Sequence, residues 1–269
     1  MNILIKFRNF IYSSLYAINW FISPFLPKQI VILCYHGVSK DAKWKFDVKK
    51  SEFVKQIKYL SVKYEFRDIL WLENYLNSDQ KLEKNTAIIT FDDGYKSVME
   101  VSTVLSKYKI TPSLFVLSDT NKVDDSEVGT KVKFLTKSDI RKLKTMGWIF
   151  ANHGATHANF SKLGKIDLKR EIVDSKLTLE KLLEDSIKYF AYPKGNYNSN
   201  AIELVNDAKY SLGFSMDDGF ISRKSNKFIL PRVGVDNTHS MENFKATVTP
   251  TVIFFRSIIK KFGVQKLFV

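Results

Sequence analysis

A single cysteine, Cys34, in 269 residues excludes an internal disulfide and any cysteine-rich zinc centre. Histidine is scarce too: a site built on imidazole has only His36, His153, His157 and His239 to draw on. No internal repeat or low-complexity linker interrupts the chain, and a hydrophobic fraction of 45% excludes global disorder. Acid is the under-represented charge, 28 residues against 42 basic, and the resulting +14 is spread along the chain rather than gathered in a tail. Such an excess attracts anionic partners. No nucleic-acid motif accompanies it, which leaves an acidic membrane surface or a phosphorylated glycan as the better match. Solvated lysine-rich helix faces are the plainer alternative. A disulfide-free chain fits the cytosol and equally admits the periplasm or cell surface.

Charge is also missing from residues 9–27, which follow Lys6 and Arg8. This run carries Phe10, Ile11, Leu15, Trp20 and Phe21 and approaches the roughly 20 residues that span a bilayer. Ser13, Ser14, Asn19 and Pro24 dilute it, and its aromatics are the kind favoured at a membrane interface. No small-x-small cleavage site follows, so residues 1–27 are expected to be an uncleaved anchor or interfacial helix rather than a removed signal peptide. An ordinary buried helix is the alternative. Lys6 and Arg8 favour an inside N-terminus with the rest on the periplasmic or outer face if the segment spans. A helix flat on the cytoplasmic face is the other arrangement. The basic, amphipathic stretch in residues 241–269 is expected to pack on the main domain or lie on the same surface.

Short apolar runs alternate with segments of helical period, the pattern of βα units. Ile30–Tyr35 reads as a strand that buries Cys34 as a packed thiol, and Thr86–Phe91 as another. Further strands are expected over residues 66–69, 113–117, 148–151, 188–192 and 211–214, and a loop over residues 119–133. Six or seven such units within residues 28–240 suggest a closed or partly closed α/β barrel, in which reactive groups gather at the C-terminal strand ends. Two polar clusters fall at such ends. Asp92 and Asp93, followed by Gly94, close the run ending at Phe91, and Asn152-His153-Gly154-Ala155-Thr156-His157 follows the run ending at Ala151.

Hydrolysing an amide needs an activated water, oxyanion stabilisation and a proton for the leaving nitrogen. A divalent ion on three protein ligands meets the first two needs. His153 and His157 can share one ion if the segment turns after its strand, and Asp93 offers a third ligand. Asp92 then stays free as the base that deprotonates the water. Taken singly, an Asp-Asp-Gly triplet is more often a turn and a His-x-x-x-His pair more often two ordinary polar residues. Both at separate strand ends, in a chain with four histidines, favour a metal-assisted hydrolase.

Thr90-Phe91-Asp92-Asp93-Gly94-Tyr95 resembles the first motif of the polysaccharide deacetylases, the NodB-homology carbohydrate esterases. His153-Gly154-Ala155-Thr156-His157 resembles their second, His-Ser/Thr-x-x-His, with Gly154 at the hydroxyl position. The resemblance spans residues 30–237. It implies a deformed (β/α)7 barrel and metal-dependent removal of N- or O-acetyl groups from sugars. By the same resemblance Asp92 is the base, and Asp93, His153 and His157 hold the metal. Zinc is the first expectation, with Co, Ni or Mn as overlapping alternatives.

The third motif departs from the family's Arg-x-Pro-Tyr: Phe190-Ala191-Tyr192-Pro193-Lys194-Gly195 lacks the arginine. The Lys194 N–H is the expected oxyanion donor. Arg232, in Leu230-Pro231-Arg232, is the compensating cation expected to pair with Asp92 and keep it charged. No Leu-x-His motif supplies the usual acid. Leu33-Cys34-Tyr35-His36-Gly37-Val38 instead resembles the Tyr-His segment of the subgroup that deacetylates poly-N-acetylglucosamine, which makes His36 the candidate acid; a core histidine is the plainer reading. Tyr95, Tyr192, Pro193, Lys194 and Gly195 are expected to line the sugar groove. Trp44 and Trp148 read as packing residues, and His239 as a loop residue. The expectation is thus an N-deacetylase acting on a cell-envelope glycan or lipid-linked sugar at a membrane, with no nucleic acid involved. An O-acetyl esterase and a catalytically silent glycan- or membrane-binding barrel are the alternatives.

Overall fold

A computed structural model describes residues 3–42, 44–123 and 132–263. Residues 124–131 of the expected loop and residues 264–269 of the C-terminal segment fall outside this description, as do residues 1–2. The chain begins with α1 (Ile3–Ile22) and enters β1 (Ile30–Tyr35). Two short strands, β2 (Gly37–Ser39) and β3 (Asp47–Lys49), pair in parallel as a small separate sheet. Next come α2 (Lys50–Lys63), β4 (Glu65–Arg67), α3 (Ile69–Leu76), β5 (Thr86–Phe91), α4 (Ser102–Lys107), β6 (Ser113–Val116), α5 (Lys137–Thr145) and β7 (Ile149–Asn152). A continuous helical rod follows: α6 (Lys165–Lys169), a π-helical turn (Arg170–Asp174) and α7 (Ser175–Leu183). The remaining elements are β8 (Tyr189–Ala191), α8 (Ser199–Asp207), β9 (Leu212–Phe214), β10 (Val233–Gly234), α9 (Met241–Thr247) and α10 (Pro250–Lys261).

Seven strands form one parallel sheet in the order β10-β1-β5-β6-β7-β8-β9, and β4 also pairs with β5. Every residue of β1 and β5 is buried, as expected of parallel strands covered on both faces and written as unbroken apolar runs. Their register sets Cys34 against Thr90 and Tyr35 against Phe91. At the far edge Phe214 bridges Leu230 in parallel. The segment leading into β10 therefore reaches from one edge of the sheet toward the other and curls it into a partial barrel. A two-residue strand carries too little periodicity to be read from sequence, and β10 was not expected.

The N-terminal segment is helical, but the spanning form expected of it is corrected: among the described residues no helix is long and apolar enough to cross a membrane. The helix is instead partly committed to the rest of the chain. Tyr12 is buried with Ala246 and Val252, the Leu15 carbonyl accepts a hydrogen bond from the Thr251 hydroxyl at 3.0 Å, and Asn9 Oδ1 accepts one from Asn243 Nδ2 at 2.8 Å. One face of α1 thus packs on α9 and α10, while Phe10, Trp20 and Phe21 stay exposed on the other. α10 is tied to the loop after β9 by the Arg256–Asp218 pair at 2.7 Å and by Lys260–Asp217.

Candidate active site

The β5 ladder carries straight into the two aspartates. Asp92 N–H donates to the Tyr35 carbonyl at 2.9 Å, as the next rung of the β1–β5 pairing. Asp93 then turns into the left-handed region with φ 68°, and Gly94 follows with φ 77°. A left-handed non-glycine residue costs about 1–3 kcal/mol and persists only where its surroundings over-determine it. The turn splits the two carboxylates. Asp93 faces β7, where His153 N–H continues the β6–β7 ladder by donating to the Val116 carbonyl at 2.9 Å. His157 closes that loop with a second left-handed non-glycine conformation, φ 61°.

Asp93, His153 and His157 are all buried. Asp93 Oδ1 lies 3.3 Å from His153 Nε2 and 3.4 Å from His157 Nε2, yet it makes no well-formed hydrogen bond. His153 Nδ1 is 2.8 Å from the Ala191 carbonyl. A carbonyl only accepts, so Nδ1 carries the proton, and the neutral form of the ring, the one able to ligate, presents its lone pair at Nε2. One ligand atom from each of the three residues lies within 4.8 Å of the other two. Three lone-pair groups converging in a buried space, one oxygen among them unsatisfied, fit a divalent cation. Burial disfavours the charged form of Asp93, but His153 and His157 outweigh it and hold the carboxyl well below its usual range. At His153 burial is outweighed by Asp92 and Asp93, which raise its pKa, whereas at His157 burial prevails and lowers it.

Asp92 sits in the opposite environment. Arg232 Nη1 and Nη2 grip its two oxygens at 2.7 and 2.6 Å, and the Cys34 thiol donates to Oδ2 at 3.3 Å. Arg232 is itself fixed by the Ser215 carbonyl at 3.2 Å and by stacking over Phe115 at 5.2 Å. Burial would raise the Asp92 pKa, but the Arg232 and His153 charges win and lower it. Arg232 thus meets Asp92 across the end of the sheet, 140 residues apart in sequence. His36, half-buried after β1, brings a ring nitrogen within 4.8 Å of a carboxylate oxygen of Asp92 and of Cys34 Sγ, and its Nδ1 has no hydrogen-bond partner. Cys34 is the buried thiol expected, but it also touches the charged pair.

Two expected groove residues need correction. Tyr95 and Tyr192 are both fully buried. Tyr95 packs edge-on against Trp44 at 5.3 Å and stacks on Phe134 at 5.4 Å, so it stands behind the site rather than in an open groove. Burial and the neighbouring Asp93 push its phenol pKa up. Tyr192 packs among Phe160, Phe190 and Tyr197. Pro193 is buried as well, whereas Lys194 is exposed in a left-handed turn with φ 58°. Gly195 is required there, because a Cβ would meet Met216 at 2.4 Å. Trp148 is buried in the core; Trp44 is only half-buried, over Tyr95.

The π-helical turn delivers a residue that periodicity did not reveal. Glu171 is fully buried, and its carboxylate accepts from Ala155 N–H at 2.7 Å, Thr156 N–H at 3.0 Å and the Thr156 hydroxyl at 2.7 Å. It therefore clamps the loop between His153 and His157. It also explains why Gly154 replaces a hydroxyl residue. With φ +86°, a Cβ at position 154 would come within 3.0 Å of Glu171 Oε2 and 3.3 Å of Phe160. Asn152 holds the other end of the loop by accepting from Gly154 N–H at 2.8 Å, while its own amide donates to Ser175 and Tyr210.

A parallel α/β sheet with a buried carboxylate–imidazole cluster beyond its strand ends defines a hydrolase scaffold of the deacetylase type. The chain belongs to the polysaccharide deacetylase family, whose model matches residues 79–213. It is 28% identical over 211 residues to a poly-beta-1,6-N-acetyl-D-glucosamine N-deacetylase of Staphylococcus aureus, a match covering 74% of this chain and 71% of that one. Its fold is similar to that of the Streptococcus pyogenes deacetylase PplD, with a TM-score of 0.70 at 24% identity over 84% of this chain and 100% of that one. It is similar also to IcaB from Ammonifex degensii, with a TM-score of 0.68 at 22% identity over 86% and 97%.

Proposed function

We propose that this polysaccharide deacetylase removes N-acetyl groups from an amino sugar of a cell-envelope glycan, with a divalent ion held by Asp93, His153 and His157. The unsatisfied Asp93 oxygen between two imidazole nitrogens is the observation that carries this reading. A divalent ion held there would supply an acidified water and polarise the acetyl carbonyl. Asp92 is the base. Arg232 keeps it ionised at the cost of basicity, so it suits only a water already made acidic. Because Arg232 and Cys34 fix both its oxygens, Asp92 meets the water in one orientation, which replaces an entropic search with a set geometry. His36 keeps Nδ1 without a partner, brings a ring nitrogen within 4.8 Å of an Asp92 oxygen, and is the proton donor to the departing amine. The backbone at Lys194 is the oxyanion donor, and Lys194 and Gly195 border the sugar.

We read residues 28–240 as the catalytic domain, a deformed (β/α)7 barrel. The helices α1, α9 and α10 pack together as a layer at its side. The exposed aromatic face of α1 and the net charge of +14 support an interfacial position on an anionic membrane. Equal sedimentation with anionic and neutral vesicles would exclude that position.

Acetate release from a panel of N-acetylated oligosaccharides and lipid-linked sugars, after chelation and add-back of Zn, Co, Ni or Mn, tests the main reading. Turnover indifferent to chelation would overturn it. An O-acetyl esterase is distinguished by His36→Gln, since an ester needs less help at its leaving group: unimpaired ester cleavage beside lost amide cleavage identifies His36 as the amide's acid. A silent barrel would bind no divalent ion tightly.

A further inference from the structure

A cleft of about 210 Å³ opens beside His36 between α1, α10 and the loop after β10. Arg8 of α1 and Lys45, just before β3, line it together with Arg256 of α10. Arg8 is 94% buried, since only 6% of its surface is exposed. Its Nε makes one long bond to Asn9 Oδ1 at 3.4 Å, and Nη2 has no partner among the described residues. A guanidinium is charged at every accessible pH and carries five donors, so a buried one without an anion is a binding group awaiting a ligand.

The carboxylates that line the cleft do not neutralise Arg8. Asp218 pairs with Arg256 at 2.7 Å. Asp236 accepts from Thr238 N–H at 2.9 Å, from the Thr238 hydroxyl at 2.6 Å and from His239 Nδ1 at 3.0 Å. Among the described residues Arg8 is left without a carboxylate partner, and exposed Lys45 meets only the Phe46 ring, 5.4 Å from its centroid. His36 belongs both to this cleft and to the cluster with Asp92, so a group bound here is continuous with a sugar positioned for deacetylation.

We infer that this cleft binds the phosphate of a phosphate-bearing glycan, next to the amino sugar that loses its acetyl group. The inference rests on the deacetylase reading. A guanidinium fork matches phosphate oxygens bidentately, and lysine adds a point charge. Two cations suit a sugar-linked diphosphate, which carries two charges, better than the single charge of a uronate, and a singly charged phosphodiester differs from a uronate in offering tetrahedral oxygens to the guanidinium fork. The source of that phosphate is either a polyprenyl diphosphate carrying the sugar or a phosphodiester within a polymer, and the chemistry recognised is the same.

The test compares acetate release by the metal-loaded full-length protein from four substrates: a neutral N-acetylglucosamine oligomer, the same oligomer bearing a phosphodiester, the same oligomer bearing a uronate, and a short-chain prenyl-diphosphate-linked sugar in detergent. At least a tenfold lower KM for a phosphate-bearing substrate is expected. Arg8→Gln should shrink that preference about tenfold and Lys45→Gln less. Preference for the prenyl form alone identifies a lipid-linked source; preference for both identifies the phosphate itself. Calorimetric titration with N-acetylglucosamine 1-phosphate gives an activity-independent readout, weakened about tenfold by Arg8→Gln. Because Lys45 is exposed, its variant keeps the test valid if Arg8→Gln folds poorly. Equal KM values, an uronate-bearing glycan preferred over both phosphates, or affinity unchanged in both variants overturns the inference. No acetate from any sugar instead overturns the deacetylase reading on which it stands.

Discussion

Asp92 and Asp93 are neighbours in sequence and opposites in environment. Asp93 lies in a cluster of unpaired lone pairs, with two imidazole nitrogens at 3.3 and 3.4 Å and no hydrogen donated to its inner oxygen. Asp92 lies in a saturated one, both oxygens held by Arg232 and one also by Cys34. The left-handed backbone at Asp93 separates the two across a single peptide bond. An unsatisfied buried acceptor between two imidazoles fits a cation, whereas one gripped by a guanidinium is a charge already compensated. On the function proposed above, the same residue type serves as ligand on one side and as base on the other because of what surrounds it.

The largest effect expected falls on the unpaired half. His157→Ala removes one of three ligands, so tight divalent binding should disappear and turnover should drop by roughly 10³-fold or more. Metal analysis of the purified variant, alongside acetate release, checks this. Stoichiometric metal in an inactive His157→Ala would show that the histidine does something other than ligate. Asp92→Asn should do the reverse, keeping the metal while lowering kcat by about 10²–10⁴-fold. Losing the metal in both variants would erase the distinction between the two aspartates.

Arg232→Met probes the saturated half through stability. It leaves Asp92 buried and uncompensated, which costs about 3–5 kcal/mol in chemical denaturation. The double variant Asp92→Asn/Arg232→Met should recover most of that loss, because no charge then remains unpaired. The sign of the pH dependence follows from the lowered Asp92 pKa. Its pairing stabilises the fold fully above the unfolded carboxyl value of about 4 and is lost as pH falls through the folded value. Arg232→Met should therefore blunt the acid limb of the stability curve of the metal-free protein. An undiminished acid limb would assign that limb to other carboxylates.

The same two halves were unequally legible in the sequence. Asp93, His153 and His157 could be picked out because ligand spacing and strand ends are local signals, and Arg232 because a base without a cation asked for one. The parallel sheet, its two-residue edge strand β10 apart, was legible from apolar runs such as Ile30–Tyr35. Glu171 was not, since a helical rod with one widened turn keeps an ordinary amphipathic pattern while redirecting a carboxylate inward. Tyr95 and Tyr192 misled because an aromatic at a strand end serves a sugar groove or a core equally well, and only packing decides. Glu171→Gln tests the missed residue. It should weaken metal affinity about 10–100-fold by loosening the loop held through Ala155 and Thr156. Unchanged affinity would show that Asn152 alone fixes that loop.

Cys34 is where the comparison should yield least, and the reason is informative. Burial drives its pKa well up, so the thiol stays protonated and donates a weak hydrogen bond to Asp92 Oδ2. Arg232 already supplies two charge-assisted bonds to the same carboxylate, and these are roughly twice as strong as neutral ones. Cys34→Ser keeps a donor of similar size and should stay within about threefold of wild-type turnover, while Cys34→Ala should lose less than about tenfold, in keeping with a net neutral hydrogen bond. A kcat loss in Cys34→Ala as large as that of Asp92→Asn, with Cys34→Ser unaffected, would move the thiol from bystander to a group that aims the base. It would also mean that Arg232 fixes the charge of Asp92 without fixing its direction.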